Sequence, residues 1–322
     1  MNKILIVGTG ALASLFAARL TEAGYHITML GTWADGIDAL NHDGVRLVNP
    51  DGVEKNYPVR ATDDPRECAG MKHAIVLVKA WQTERVAQQL RECLADDGLA
   101  LTLQNGLGNR ETLSKILDRS ATENTEKPRD KSSKDSVNSV AKKSSRVALG
   151  STTTGATLLG PGLVKAGGEG VISLERNQAL GPIEEALRSA GFNLQLVEDA
   201  GALIWGKLVV NAAINPLTAL LRVKNGELLE RPPARRLMTA LAKEAAAVAR
   251  AENVRLPFDD PVKIAEDVAQ KTAANTSSML QDVLRGAPTE IDAICGAVVK
   301  AAEKHGIETP ANRICWQLVR AL

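Results

Sequence analysis

Aromatic residues and cysteine are scarce in this chain of 322 residues. Phe, Trp and Tyr together make up 3% of it, so its core must rest mainly on Ala, Leu, Val and Ile. The four cysteines have neither the spacing of a zinc site nor that of a redox motif. They are Cys68, Cys93, Cys295 and Cys315. We therefore expect reduced, packed thiols in a cytoplasmic protein, and we predict no metal site.

Strong charge and long apolar runs are also missing. The net charge is +1, and no basic stripe with interleaved aromatic residues is present, which disfavours a nucleic-acid partner. No apolar run reaches the length that we would require of a membrane span. The four histidines are scattered and none accompanies a motif. Composition therefore favours a soluble enzyme, and the length allows two domains.

The start of the chain carries a dinucleotide-binding pattern. A short apolar run from Lys3 ends in G-x-G-x-x-A at Gly8–Ala13, an amphipathic stretch follows, and Tyr25–Leu30 has the composition of a second strand. This order is the first half of a Rossmann unit, in which the first glycine permits a tight turn and the second lets the backbone approach a pyrophosphate. A secretory signal peptide is the alternative, but Gly8 and Gly10 interrupt its apolar run.

Strand and helix patterns alternate through the first half of the chain, and helical spacing replaces them from about residue 200. We predict an α/β Rossmann-type domain at 1–198 and an all-helical domain at 199–322. The predicted helices of the second domain are 201–221, 233–253, 259–285, 289–304 and 310–321. Residues 119–146 are rich in Ser, Lys, Asp, Asn and Thr, so we predict a disordered surface insertion there.

Lys207, Asn211 and Asn215 share one face of the most apolar predicted helix, because they are four residues apart. An ammonium and two amides on a buried helix are costly unless they face partners or a polar cavity. Burial lowers the pKa of a lysine toward neutrality, which suits a general acid. Two alternatives stay open: a polar seam with a neighbouring helix, or a new helix that Asn215 caps and Pro216 begins.

Other polar residues stand where parallel strands or helices should end. Lys79 and Asn105 each follow a predicted strand, at the edge where open α/β sheets bind ligands. Ser278 lies in a hydroxyl-rich stretch, and Glu290 follows Pro288 and Thr289. The structural alternatives are a solvated strand end for Lys79, a turn at Asn105, a helix start at Ser278, and acidic residues in a first helical turn for Glu290.

Eight short motifs extend over nearly the whole chain outside 119–146. In the first half they are GTGALA at 8–13, VLVKAWQ at 76–82, QNGLG at 104–108 and STTTGAT at 151–157. In the second half they are IWGKLVVNAAINPLTAL at 204–220, KNGEL at 224–228, NTSSMLQD at 275–282 and TEID at 289–292. With these motifs the chain resembles the ketopantoate reductase (2-dehydropantoate 2-reductase) family.

The resemblance implies NADPH-dependent reduction of the 2-keto group of ketopantoate to (R)-pantoate. By position, it implies that Lys207 donates a proton to the forming alkoxide and that Glu290 and Asn105 complete the catalytic group. The implied substrate-binding residues are Asn105, Asn211, Asn215, Asn225 and Ser278. The implied cofactor-binding residues are Gly8, Thr9, Gly10, Ala11, Leu12, Ala13, Lys79, Asn105, Thr157 and Glu290. Whether Glu290 orients Lys207 or holds the nicotinamide ribose stays open.

One feature departs from the family pattern. NADPH-specific members usually place an arginine just after the second strand, whereas here that strand leads into Gly31 and Thr32. No acidic residue stands at the strand end to bind a free 2′-hydroxyl either. With only Thr32 and a lysine, Lys72 or Lys79, for the 2′-phosphate, we expect a modest and salt-dependent preference for NADPH, with NADH as the alternative. Gly31→Arg is expected to raise that preference.

Two other functions compete with this interpretation. A related reductase of a different 2-keto acid would need the same motifs, because they define the chemistry better than the substrate's alkyl group. A dinucleotide-binding regulator without catalysis would not need a proton donor, so the presence of Lys207, Asn105 and Glu290 argues against it. The sequence is compatible with a monomer or a homodimer.

Overall fold

The computed structural model describes residues 3–118 and 145–322, which fold into two compact units. Unit 1 comprises the described residues within 1–78, 82–103 and 110–196. Unit 2 comprises 79–81, 104–109 and 197–322, so two short segments of the first half belong to the helical unit. The predicted insertion at 119–146 lies outside the described residues except for Ser145 and Arg146.

Unit 1 is built on strands that alternate with helices. The strands of the described residues are β1 (Lys3–Val7), β2 (His26–Leu30), β3 (Val45–Val48), β4 (Glu54–Tyr57), β5 (Arg60–Thr62), β6 (Met71–Val76), β7 (Leu94–Thr102), β8 (Val147–Thr152), β9 (Ala156–Gly160), β10 (Leu163–Ala166), β11 (Val171–Glu175) and β12 (Asn193–Val197). The helices of this half are α1 (Ala11–Glu22), α2 (Ala34–Asp43), α3 (Thr83–Cys93), α4 (Asn109–Leu117) and α5 (Gly181–Ser189).

The main sheet has the strand order β12-β11-β8-β7-β6-β1-β2-β5. The neighbouring strands in the part of the sheet that runs β8-β7-β6-β1-β2-β5 all pair in parallel. At the other end, β11 pairs antiparallel with β8. The central strand β1 is an apolar run whose last four residues are buried, as a parallel sheet covered on both faces requires. Phe16 of α1 is fully buried in the core beside it. The Rossmann-type prediction for the first half is therefore confirmed.

A second, smaller sheet was missed by the sequence analysis. It has four strands in the order β4-β3-β10-β9 and belongs to unit 1. Its strands come from two segments separated by about a hundred residues, and β10 pairs in parallel with β3. The sequence pattern that would predict this sheet is weak, because β4 is exposed in three of its four positions and so lacks an apolar alternation.

Unit 2 is helical, as predicted for the residues after about 200. Its helices are α6 (Ala200–Leu221), α7 (Glu227–Glu230), α8 (Pro232–Ala251), α9 (Pro261–Lys271), α10 (Ser278–Leu284), α11 (Cys295–Lys304) and α12 (Pro310–Arg320). Leu208, Val209 and Ala212 of α6 are buried with Met238 and Ala245 of α8 in one apolar core. The four cysteines of the chain are free and buried, as expected.

Two predicted helices in unit 2 have wrong boundaries, and one alternative for a third helix is excluded. The single helix expected at 259–285 is divided into α9 and α10, because the carbonyls of Ala273 and Asn275 bind the backbone N–H groups of Gly226 and Asn225 instead. The helix expected from 289 begins only at Cys295. Pro216 does not begin a helix either, since it lies inside α6, which Asp199 caps by accepting from the Ala202 N–H.

The helix α6 also corrects an expectation about apolar runs. Its 22 residues are, by length and composition, enough to cross a membrane, with a mean hydropathy of 1.3. However, 72% of its most apolar window is buried. Burial of this extent is typical of the central helix of a folded core, which passes the same length test.

Candidate active site

The turn between β1 and α1 depends on backbone geometry and close packing. Gly8 has a φ of +126°, and a Cβ at that position would lie 3.3 Å from the backbone of Leu77, so only glycine fits without strain. Ala13 is fully buried and packs beside Gly8, which holds the helix close to the strand. The predicted roles of Gly8 and Ala13 in this turn therefore have a direct structural cause.

Gly10 is the N-cap of α1 and faces open space. A Cβ built there would meet no atom within 4 Å, and no side chain caps the helix. The N–H groups of the first turn, which includes Ala11 and Leu12, carry the positive end of the helix dipole. An open glycine at such a terminus fits a pyrophosphate, so the turn fits a nicotinamide dinucleotide.

The segment after β2 is closed to a larger side chain at Gly31. A Cβ at Gly31 would lie 2.5 Å from Cγ2 of Thr9, a short buried side chain with little freedom to move. Gly31→Arg would therefore require this side chain to shift, and its expected effect on the NADPH preference stays a prediction. The obstacle is Thr9, since Gly31 does not have a positive φ.

The nearest cation to Thr32 is one that the sequence analysis missed. Nη1 of Arg85, in the first turn of α3, donates to Oγ1 of Thr32 over 2.6 Å. The two lysines suggested from the sequence bind carboxylates: Lys72 binds Asp97 at 2.7 Å, and Lys79 binds Asp282 at 2.6 Å. The only signal that pointed to Arg85 is its place at the start of a helix that follows a parallel strand.

Glu290 lies at the centre of a polar cluster in unit 2. Its side chain is 5% exposed. Oε1 accepts from the Ala80 N–H over 3.1 Å, and Oε2 accepts from Nδ2 of Asn105 over 3.1 Å. Because α11 begins at Cys295, Glu290 is not in the first turn of a helix, and the alternative of a helix-dipole partner is excluded. The structure thus brings Asn105 and Glu290 together, as the resemblance implies.

Lys79 joins the same cluster through a second carboxylate. Its Nζ lies 2.6 Å from Oδ2 of Asp282 and 3.8 Å from Oε2 of Glu290. Arg285 binds the other oxygen of Asp282 at 3.1 Å. Asp282 is almost fully buried and was missed by the sequence analysis, because nothing in its helical context marks it as a partner of Lys79. Lys79 is therefore a half-buried ion-pair residue, which disfavours the alternative of a strand end that solvent alone satisfies.

Lys207 lies in α6, where most of the residues near it in sequence are apolar, such as Ile204, Leu208 and Val210. Burial lowers its pKa from 10.5 to about 8, and attraction to Glu290 partly opposes that shift. The ammonium therefore keeps its proton at neutral pH but releases it more readily than an exposed lysine does. This combination suits a general acid.

Asn211 and Asn215 follow Lys207 at intervals of one helical turn, and Asn215 is 8% exposed. One turn further, the Oγ1 of Thr218 lies 2.6 Å from Oγ of Ser277, so a polar seam between α6 and the start of α10 does exist. Among the described residues, the hydrogen bond of that seam is made by Thr218, and no described hydrogen bond of the seam involves the side-chain amides of Asn211 and Asn215. The three residues Lys207, Asn211 and Asn215 thus share one helix face, as the spacing predicts.

Three further predicted site residues lie elsewhere in their units. Asn225 donates from Nδ2 to Oγ1 of Thr272 over 2.9 Å, and its buried Oδ1 has no partner among the described residues. Ser278 is the exposed first residue of α10, where Ser277 is the cap. Thr157 is exposed on β9 of the smaller sheet. No described hydrogen bond connects any of the three to Glu290.

A glycine turn open to a dinucleotide, followed by a helical unit with a buried lysine, defines a class of NAD(P)-dependent oxidoreductases. Two family models match the chain: ketopantoate reductase PanE/ApbA over residues 4–178 and its C-terminal model over 199–322. The chain belongs to the ketopantoate reductase PanE/ApbA family.

Individual relatives agree over the full length. The chain is 35% identical to a 2-dehydropantoate 2-reductase of Archaeoglobus fulgidus, with 100% of this chain and 98% of the relative covered. A ketopantoate reductase structure from Ralstonia eutropha JMP134 aligns with a TM-score of 0.84 at 27% identity, over 99% of this chain and 97% of that chain. A ternary structure of D-mandelate dehydrogenase with NADH and anilino(oxo)acetate aligns with a TM-score of 0.84 at 25% identity and the same coverage.

Proposed function

We propose that the protein reduces ketopantoate to (R)-pantoate with NADPH, and that Lys207 supplies the proton. Full-length similarity to 2-dehydropantoate 2-reductases supports the substrate. The single observation that carries the mechanism is the lysine of α6, whose pKa burial lowers to about 8. Its proton is held at neutral pH, yet the ammonium is acidic enough to give it up.

A nicotinamide dinucleotide held at the Gly8–Ala13 turn would supply a hydride to the 2-keto carbon, and negative charge would then develop on the carbonyl oxygen. The Nζ ammonium of Lys207 stabilises that charge and transfers a proton to the oxygen, which leaves a neutral amine that regains a proton from solvent. Acid–base help of this kind contributes roughly 10²–10⁴ in rate. Stabilisation of the developing charge adds to it, because the low dielectric around Lys207 strengthens the attraction.

The carboxylate and hydroxyl of the substrate are assigned to Asn211, Asn215, Asn225 and Ser278, together with Asn105. Amides and hydroxyls donate hydrogen bonds without adding charge, so they hold the substrate without neutralising Lys207. The buried Oδ1 of Asn225, which has no partner among the described residues, supports a polar ligand at that residue. The exposed hydroxyl of Ser278 supports its role too, because Ser277 already caps the helix.

Glu290 is assigned a positioning role. Its carboxylate holds the backbone at Ala80 and the amide of Asn105, and it raises the pKa of Lys207 against the effect of burial. The attraction between Glu290 and Lys207 supports a role in orienting the ammonium over binding of the nicotinamide ribose. The glycine turn at Gly8–Ala13 is assigned to the pyrophosphate of the cofactor, with Lys79, Asn105 and Thr157 as further cofactor contacts.

Loss of NADPH absorbance with purified protein and a panel of 2-keto acids tests this proposal. The panel contains ketopantoate, 2-ketoisovalerate, pyruvate and phenylglyoxylate. The expected result is the highest kcat/KM with ketopantoate. If the protein oxidises NADPH with none of these acids but still binds the dinucleotide, the regulatory alternative replaces the proposal.

A reductase of another 2-keto acid is the second candidate function. The similarity to D-mandelate dehydrogenase, whose ternary structure contains NADH and anilino(oxo)acetate, favours it. The same panel separates the two candidates when it is run with NADPH and NADH. A higher kcat/KM for phenylglyoxylate with NADH would identify this second function.

The location that fits these residues is the cytoplasm. Burial raises the pKa of Cys68 to about 11 and that of Cys93 to about 12, so these thiols are protonated and unreactive at neutral pH. Free thiols are the normal state of cysteine in a reducing compartment. Cell fractionation with an antibody to the protein tests this assignment, and recovery in the membrane pellet would contradict it.

A further inference from the structure

We propose that Arg85, together with Thr32, binds the 2′-phosphate of the cofactor and thereby selects NADPH over NADH. The proposal rests on the proposed use of a nicotinamide dinucleotide. It assigns to α3 a contact that would otherwise come from an arginine directly after β2.

The place of Thr32 in the Rossmann unit indicates the ligand. Thr32 follows the carboxyl end of β2, and β2 lies beside β1, which leads into the glycine turn. In dinucleotide-binding folds the residue near this strand end contacts the adenosine ribose, and an acidic residue there selects the free 2′-hydroxyl of NAD. Here the position carries an exposed threonine, so no carboxylate at the strand end repels a phosphate.

Arg85 supplies the positive charge at this place. Its Nη1 donates to the Thr32 hydroxyl over 2.6 Å, which fixes the guanidinium beside the strand end. A guanidinium has five N–H donors, and this contact uses one of them. No carboxylate of the described residues forms an ion pair with Arg85, so its charge is not already neutralised. A planar guanidinium binds phosphate through two parallel hydrogen bonds.

The other cations suggested for this role are engaged elsewhere. Lys79 binds Oδ2 of the buried Asp282, and its transfer to a phosphate would leave that oxygen without its ion-pair partner. Lys72 lies near the amino end of β6, where it binds Asp97, whereas dinucleotides bind at the carboxyl ends of the strands. Position 31 is closed by Thr9. Arg85 is therefore the cation that the described structure places beside Thr32.

This assignment changes the expected cofactor preference. A neutral hydroxyl and a distant lysine would give only a modest preference for NADPH over NADH. A guanidinium that binds the 2′-phosphate with two hydrogen bonds should give a larger preference. We expect Arg85→Gln to weaken NADPH binding about tenfold or more, and to change NADH binding less than about twofold. Thr32→Val should have a smaller effect in the same direction, because it removes the hydroxyl that positions Arg85.

Equilibrium binding without any keto acid tests the proposal independently of activity. The affinities of NADPH, NADH, 2′,5′-ADP and ADP are measured by calorimetry for wild type, Arg85→Gln, Thr32→Val and the control Arg91→Gln. Arg91 is an exposed arginine of the same helix and lies six residues further on. The expected loss in Arg85→Gln is confined to NADPH and 2′,5′-ADP, and Arg91→Gln behaves as wild type.

Two results overturn the proposal. An unchanged ratio of NADPH to NADH affinity in Arg85→Gln would do so, and so would an equal loss for both cofactors, since neither shows recognition of the 2′-phosphate. Failure of the wild-type protein to bind either dinucleotide is a different outcome, because it contradicts the proposed function itself. A loss in Arg91→Gln as large as in Arg85→Gln would reduce the effect to general surface charge and also overturn the proposal.

Discussion

The glycine turn and the polar cluster of unit 2 are two solutions to the binding of charged groups. The turn uses backbone groups from six consecutive residues, Gly8–Ala13, and places no charged side chain beside the ligand. The cluster joins ionic and amide side chains from segments about 200 residues apart, such as Lys79 with Asp282 and Asn105 with Glu290. Binding by backbone is thus encoded locally, whereas acid–base chemistry depends on tertiary structure.

The glycine turn and the polar cluster also differ in the desolvation free energy that their formation requires. An open N-terminal turn leaves its N–H groups accessible to water until a ligand binds. The cluster buries Asp282 and Glu290, and Lys207 nearby in unit 2 is also desolvated, so these charges carry penalties that only good mutual contacts offset. The lowered pKa of Lys207 is a direct consequence of that penalty. Changes in the cluster should therefore alter rate and pH dependence, and changes in the turn should alter cofactor affinity.

Removal of the lysine should have the largest effect. Lys207→Ala is expected to lower kcat by about two orders of magnitude or more, because the proton donor and the charge that stabilises the alkoxide are both lost. Dinucleotide affinity, measured by calorimetry, should stay within about twofold of wild type. The control is Lys243→Ala, an exposed lysine of α8. Turnover near the wild-type value in Lys207→Ala at neutral pH would remove this residue from the mechanism.

A change at Gly10 should separate the turn from the cluster. Gly10→Val is expected to weaken binding of both dinucleotides about tenfold or more, since the side chain enters the space that a pyrophosphate needs. The fold should persist, because a Cβ at Gly10 meets no atom within 4 Å. Thermal unfolding and calorimetry measure the two effects. Gly160→Val, at another position with open space, is the control. Unchanged affinity in Gly10→Val would place the cofactor elsewhere.

Loss of the Glu290 charge should have a smaller effect that depends on pH. Glu290→Gln removes an attraction that raises the pKa of Lys207, so that pKa should fall below about 8. The alkaline decline of kcat/KM is then expected to begin at a lower pH than in wild type. Asp292→Asn, an exposed carboxylate two residues further on, is the control. A lower rate with an unmoved pH profile would indicate that Glu290 acts through Asn105 and Ala80 alone.

Replacement of residues 121–144 by a short Gly/Ser linker should have the smallest effect. The described residues on either side are already held together, because Asp118 accepts from Oγ of Ser145 over 3.0 Å and from the Arg146 N–H over 2.9 Å. The composition of the segment also offers little apolar surface to bury. Melting temperature and kcat/KM should both stay close to wild type, and a large fall in either would show that the segment contributes to the fold or the site.

The sequence was sufficient to predict those structural features that depend on residues close together in the chain. The glycine turn, β1, α6 and the helical face of Lys207 follow from local spacing, and the structure contains them. The smaller sheet could not be predicted, because the pairing of β3 with β10 is set by contacts across about a hundred residues. Asp282 and Arg85 were missed for the same reason, since their partners Lys79 and Thr32 are remote in sequence.

The pH dependence of kcat/KM in the wild-type protein tests the central claim most directly. This parameter reports the ionisation of the free enzyme, and a proton donor must be protonated to act. Because burial lowers the pKa of Lys207 to about 8, kcat/KM for ketopantoate with NADPH should be level near pH 7. Above about pH 8 it should fall, approaching tenfold per pH unit. A profile that stays level to about pH 10 would contradict the assignment of Lys207 as the general acid.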